Sequence, residues 1–286
     1  MKQQDYIFFG SPRFARLVLE GVLETLPPRA VVTSPDRPAG RKRVLTPPAV
    51  KSFLHEKHSS IEVLQPERPK FAVAHLKELA PEAFLVAAYG YIIPQSVLDI
   101  PRLGTIGVHP SLLPCYRGAS PIQSAILGGE RKTGVTLYLM DAEMDHGPIL
   151  AQEELEIGSM DYLELEAALA ALGAKLLREN LPKFLDGRLR GRTQDESRAT
   201  FTKKFETADG FVPWEELERA VNGGAPDVAT QVWRKIRALN PEPGAWTEKG
   251  EVRIKLVRAD LEEDRLVLRE IQRAGKTTER ISRPLP

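Results

Sequence analysis

The chain has 286 residues, with 40 Lys and Arg against 39 Asp and Glu and a net charge of +1. That length suggests two domains or one large one, and near-neutrality excludes a global field for nucleic acid or membrane, so any basic surface must be local. Hydrophobic content of 42% and aromatic content of 7% are those of a soluble globular protein, and the single cysteine, Cys115, excludes an internal disulfide. No signal peptide is visible, and the most apolar run, 83–94, is too short to span a bilayer and contains Gly90. A cytoplasmic protein is expected.

In chain order, Tyr6-Ile-Phe-Phe-Gly10 is a short apolar run ending at glycine. Residues 14–23 follow with helical spacing, and 29–33 is the next strand. This βαβ opening predicts a parallel sheet with right-handed crossovers. The turn Gly10-Ser-Pro lacks the GxGxxG dinucleotide fingerprint. The basic loop Ser34-Pro-Asp-Arg-Pro-Ala-Gly-Arg-Lys-Arg43 is rich in proline and glycine and is read as irregular. Such a loop either clamps an anion or is a mobile surface loop. A helix is expected over 49–58; its His55 and His58 lack the spacing of a zinc site, and no metal is expected.

Residues 61–64 read as a strand and 71–79 as a helix. The continuous apolar run 83–88 suits a strand buried on both faces and ends in the loop Tyr89-Gly-Tyr-Ile-Ile-Pro94. Further strands are expected at 106–108, 134–139 and, at an edge, 149–157; helices at 120–127 and 162–184. Composition then changes. Residues 185–204 read as a basic linker, dividing the chain into domains 1–184 and 205–286. Two helices (214–221, 227–239) and short strands (245–247, 252–257, 265–271) fit a small barrel. No long apolar seam is left over, so a monomer is expected.

The stretch Gly104-Thr-Ile-Gly-Val-His-Pro-Ser-Leu-Leu-Pro-Cys-Tyr-Arg-Gly118 organises the rest. His109-Pro110 must leave the strand ladder, because proline donates no hydrogen bond. The result is a structured loop at the end of a buried strand, where open α/β sheets keep their ligands. Cys115 would need a nearby base to act as a nucleophile and otherwise reads as a small, half-buried side chain.

Several motifs occur in one order: Phe9-Gly-Ser-Pro-Arg-Phe14, Ser34-Pro-Asp-Arg-Pro-Ala-Gly-Arg41, Leu45-Thr-Pro47, Ala88-Tyr-Gly-Tyr-Ile-Ile-Pro94, His109-Pro-Ser-Leu-Leu-Pro-Cys-Tyr-Arg-Gly118, Met140-Asp-Ala-Glu-Met-Asp-His-Gly147 and Arg237-Ala-Leu-Asn-Pro-Glu-Pro-Gly-Ala-Trp246. Together they resemble the formyltransferases that use 10-formyltetrahydrofolate, most closely those that formylate initiator methionyl-tRNA. The resemblance covers nearly the whole chain. It implies an α/β fold with a Rossmann-like N-terminal domain, then a small OB-like β-barrel that binds tRNA, here shortened at its end (275–286).

It also implies site residues. In the family an asparagine, a histidine two residues later and a distant aspartate act on a tetrahedral oxyanion. His109 matches the histidine, as oxyanion donor, and Asp145 the aspartate, orienting His109 and helping to take the amine proton. The asparagine position is Gly107, which has no side chain to offer. Water or an amide from elsewhere could fill that space, or the enzyme could be slow; Gly107→Asn would be harmless only if the space is open. Ser111, Leu112, Leu113 and Pro114, with Tyr89, Gly90, Ile92 and Ile93, would hold the folate. Arg41, Lys42 and Arg43 would meet the tRNA acceptor end, and Arg188, Arg190, Arg192, Lys203 and Lys204 would extend a basic track. The alternatives are an N-formyltransferase for another amine, such as an amino sugar nucleotide, or a tRNA-binding relative that is slow or inactive because of Gly107.

Overall fold

The computed structural model describes residues 5–40 and 43–281. In the first 201 residues the strands are β1 (Tyr6–Gly10), β2 (Ala30–Val32), β3 (Arg37–Ala39), β4 (Val44–Thr46), β5 (Glu62–Leu64), β6 (Ala83–Ala87), β7 (Thr105–His109), β8 (Arg117–Gly118), β9 (Lys132–Leu139) and β10 (Ile149–Glu156). The helices are α1 (Arg13–Leu23), α2 (Ala49–Lys57), α3 (Val73–Leu79), α4 (Gln95–Leu98), α5 (Pro121–Gly128) and α6 (Tyr162–Leu185). Then come β11 (Phe201–Thr202), α7 (Trp214–Asn222), α8 (Pro226–Leu239), β12 (Trp246–Lys249), β13 (Val252–Glu262), β14 (Arg265–Arg273) and β15 (Glu279–Arg280).

Seven strands form one sheet in the order β10-β9-β7-β6-β1-β2-β5. The run from β5 to β7 is parallel, whereas β9 returns antiparallel to β7. Every residue of β1, β6 and β7 is buried, as continuous apolar strands in a parallel sheet require. The chain leaves β1, β2, β6 and β7 at the same sheet edge. Ser11 ties three of these exits together: its Oγ donates to the Tyr89 carbonyl (3.0 Å) and accepts from the Ser34 N–H (3.0 Å).

The chain divides into two compact units. The first holds the described residues up to Gly118, with Thr133–Leu155 and Glu166–Phe201; the second holds Ala119–Lys132, Glu156–Leu165 and the described residues from Thr202 onward. Most of the stretch read as a linker, 185–204, is bonded within the first unit. Arg192 and Ile149 exchange backbone hydrogen bonds (2.8 and 2.9 Å), and the Thr200 carbonyl accepts from the Arg117 N–H (2.8 Å). Backbone pairing does there what apolar anchors do elsewhere. In the second unit, α7 and α8 cover an antiparallel sheet of order β12-β13-β14-β15, with Leu217, Val232, Ile236, Leu256, Leu268 and Ile271 in its core. The buried Arg237 guanidinium donates to the Gly158 carbonyl (3.0 Å) and stacks 4.1 Å from the Trp233 ring centroid.

One expectation gives way here. The loop after β2, read as irregular, contains an antiparallel hairpin, β3 against β4, with Pro38 opposite Leu45. Gly40 supplies the positive φ (67°) of the turn, and Pro38 is tolerated because this ribbon has only two strands. Its residues are exposed, including Val44 (61%) and Leu45 (65%).

Candidate active site

His109 is the last residue of β7 and is buried. Its Nε2 lies 2.9 Å from the Tyr116 carbonyl oxygen. A carbonyl only accepts, so Nε2 carries the hydrogen and Nδ1 is the nitrogen left to exchange a proton. Nδ1 faces Asp145 Oδ2 at 3.6 Å, within ion-pair reach. The oxyanion-donor role expected of His109 is therefore not pre-formed at Nε2.

Asp145 sits in the turn between β9 and β10 with a left-handed backbone (φ 51°), a conformation aspartate tolerates better than most residues. Its two oxygens have different partners. The Gly118 N–H donates to Oδ2 (2.7 Å), and the Tyr138 hydroxyl donates to Oδ1 (2.7 Å). Gln194 Nε2 fixes the turn itself, donating to the carbonyls of Asp145 and Gly147 (2.8 Å each). Gln194 Oε1 in turn accepts from Arg117 Nη2 (2.8 Å), and Glu196 holds the same guanidinium at both oxygens (2.9 and 2.6 Å). That ion pair holds the Glu196 carboxyl below its ordinary range. Beside it, His146 Nδ1 meets Asp141 (2.7 Å), and this bond pushes the His146 pKa up.

The register of β7 and β9 places Gly107 directly opposite Tyr138. A Cβ on residue 107 would lie 2.3 Å from Tyr138 Cε1 and 2.5 Å from its Cζ. The space at 107 is thus filled by a phenol ring from the neighbouring strand. Tyr138 is 4% exposed and packs with Leu113 and Ile149. Burial first, and then the charge of Asp145, push its pKa well above the ordinary phenol value. It stays protonated near neutral pH and donates.

The other expected residues divide. Ser111 is fully buried, and its Oγ donates to the Cys115 carbonyl (2.6 Å). Leu113 is buried, its N–H donating to Thr136 Oγ1 (3.1 Å), while Leu112 and Pro114 are half-buried. Tyr89 and Ile93 belong to the core against Phe9 and Phe84; burial pushes the Tyr89 hydroxyl up to about 12. Gly90 (φ 85°, with open space on its Cβ side) and Ile92 (93% exposed) face outward. Arg43 is exposed beside the β3–β4 turn, and Arg41 and Lys42 lie outside the described residues. Tyr138, Gln194, Glu196 and Ser11 were not among the expected site residues. The alternation of 134–139 marks Tyr138 as a strand residue but not what it faces. Among the described residues, no group of three or more His, Cys, Asp or Glu side chains is arranged to hold a metal ion, and no helix is long and apolar enough to cross a membrane.

A buried histidine within ion-pair reach of a carboxylate, at the end of a buried strand, is an arrangement chemically able to exchange a proton. The sequence profile of the formyl transferase family matches residues 7–181, and that of the formyl transferase C-terminal domain matches 226–275. The chain belongs to the formyl transferase family. The methionyl-tRNA formyltransferase of Dictyoglomus turgidum is 42% identical over 265 residues, covering 90% of this chain and 79% of its own. Two solved structures share the fold at low identity. The methionyl-tRNA formyltransferase of Clostridium thermocellum is 17% identical, with a TM-score of 0.59 over 97% of this chain and 99% of its own. The N-formyltransferase of Helicobacter canadensis, solved with folinic acid and dTDP-3-aminofucose, is 17% identical, with a TM-score of 0.63 over 91% of this chain and 89% of its own.

Proposed function

We propose that this enzyme transfers the formyl group of 10-formyltetrahydrofolate to the α-amine of initiator methionyl-tRNA, in the cytoplasm and as a monomer. The observation that carries the reading is the His109–Asp145 pair at the end of β7, in a chain whose relative of the same named activity matches over nine-tenths of its length. The neutral amine nitrogen attacks the formyl carbon, giving a tetrahedral oxyanion. The amine proton passes to His109 Nδ1, and Asp145 holds the imidazolium that results. The bond from the formyl carbon to the folate nitrogen then breaks, and that nitrogen takes the proton from His109, directly or through water, which returns the imidazole to neutral. The charge on His109 also favours the oxyanion, as electrostatic stabilisation in a buried site requires.

The residues fit a folate donor. Gly90 leaves backbone open beside Ile92, and Leu112 and Pro114 offer half-buried apolar edges for a flat heterocycle. The basic residues Arg41, Lys42 and Arg43, and the OB-like C-terminal portion, would hold the tRNA. Domains of 1–184 and 205–286 remain our functional division.

The test is direct. Purified protein is incubated with 10-formyltetrahydrofolate and charged initiator tRNA, and formylmethionine is measured. Product is expected with methionyl-tRNA and not with an amino sugar nucleotide. Product from the sugar alone contradicts the reading, as does tRNA binding without any product.

A further inference from the structure

The geometry points to Tyr138 as the positioning residue of this site: its ring occupies the space over Gly107, and its hydroxyl orients the Asp145 carboxylate. This assignment rests on the reaction proposed above. Three observations carry it. First, the two residues face each other across the β7–β9 ladder, and the ring fills the volume that any side chain at 107 would need. Residues directly opposite on antiparallel strands share a face, so the fit is a consequence of register. Second, the only polar atom of that ring ends 2.7 Å from Asp145 Oδ1. Third, Asp145 has a left-handed backbone at the end of a turn, and its side chain is held from two sides, by Tyr138 at Oδ1 and by Gly118 N–H at Oδ2.

A donor at each oxygen fixes the orientation of the carboxylate. It also fixes which oxygen faces His109, namely Oδ2. The phenol has one hydrogen to donate, and Asp145 Oδ1 accepts that hydrogen bond. Tyr138 therefore acts through Asp145 and is not a second donor to the reacting group. A site lacking a side chain at 107 keeps three polar groups, with the third supplied from the next strand.

A cross-strand ring over a glycine also has a purely structural use, as packing. Tyr138→Phe separates the two roles, because it keeps the ring and removes only the hydroxyl. The fold is expected to be retained, with Tm close to wild type and KM for both substrates unchanged. kcat is expected to fall about tenfold to a hundredfold, the size of effect that misplacing a reacting group produces. A kcat within twofold of wild type would overturn the proposal.

A second measurement needs no substrate, so it separates failure of this assignment from failure of the proposed reaction. The carboxyl carbon of Asp145 is followed by NMR at one fixed pH in wild type and in Tyr138→Phe. Its chemical shift should change in the variant, where the hydroxyl partner of Oδ1 is gone; an identical shift would overturn the assignment even if formylation is confirmed. The occupancy of the space at 107 is tested by a thermal cycle of Gly107→Ala, Tyr138→Leu and the double variant. The loss of Tm caused by Gly107→Ala should be smaller in the Tyr138→Leu background. Additive losses would mean that the ring does not claim that space.

Discussion

The loops that follow β2 and β7 are written in similar letters, with prolines, glycines and arginines, yet they end in opposite states. After β7, Arg117 is 2% exposed and is held by Gln194 and Glu196, Asp145 has a donor at each oxygen, and His109 Nε2 is bonded. After β2, the β3–β4 hairpin stands exposed with Val44 and Leu45 uncovered, tethered by Arg37 to the Tyr91 hydroxyl (2.6 Å). The first is held by its own bonds; the second leaves apolar side chains exposed. Chemistry that moves protons needs fixed distances, whereas gripping a large substrate needs accessible charge and apolar area. The difference lies in what each loop can reach.

The largest effect that would break this contrast lies at the buried loop. Asp145→Asn should lower kcat by roughly a hundredfold to ten-thousandfold, the range for loss of general acid–base assistance, with little change in KM. Single-turnover formyl transfer checks it. Gly107→Ala should cost about 1–3 kcal/mol through overpacking against Tyr138, read as a lowered denaturation midpoint. A neutral result would mean that the space opens on demand. Gln194→Ala strands the turn carbonyls of residues 145 and 147 and one side of Arg117, and should cost about 1–3 kcal/mol.

At the exposed hairpin the expected pattern is reversed. Leu45→Ser should change stability by no more than about 0.5 kcal/mol, as an exposed position. Arg43→Ala should likewise leave kcat unchanged. It should raise KM for tRNA a few-fold, with a salt slope smaller by about one if it meets a phosphate. The smallest effect concerns pH. His146 has its pKa raised in the folded protein, first by its bond to Asp141. Its contribution to the 141–147 turn is therefore full below the unfolded histidine pKa and is lost as pH rises through the folded value. Amide protection factors in that turn, which remove the intrinsic rise of exchange with pH, should fall over that interval, and His146→Gln should abolish the change.

Much of this was legible in the sequence, for reasons specific to each element. β1 and β6 announce themselves because strands buried on both faces carry unbroken apolar runs. Proline marks the His109 loop, but the roles of His109 and Asp145 come from the resemblance to the formyltransferases; alone, Asp145 reads as a turn residue bonding its own backbone. Tyr138 was not legible, because its role exists only through the register that sets it opposite Gly107, and register is a long-range property. The grouping of Ala119–Lys132 and Glu156–Leu165 with the second unit is hidden for the same reason: no composition change marks a segment that packs far from its neighbours in sequence. Ser111, Tyr89 and Ile93 lie in loops that look ligand-facing by motif. Their side chains turn inward because apolar groups, and a hydroxyl with a carbonyl in reach, gain more from burial there.

The central claim is that His109 and Asp145 form the proton-transferring pair of a formyl transfer to methionyl-tRNA. The most direct measurement is single-turnover formylation of charged initiator tRNA by wild type and by His109→Ala, with tRNA and 10-formyltetrahydrofolate binding measured on both proteins. The account predicts rapid formylmethionine formation by wild type and a rate at least about a hundredfold lower in the variant, with both ligands still bound. Equal rates in the two proteins would contradict it.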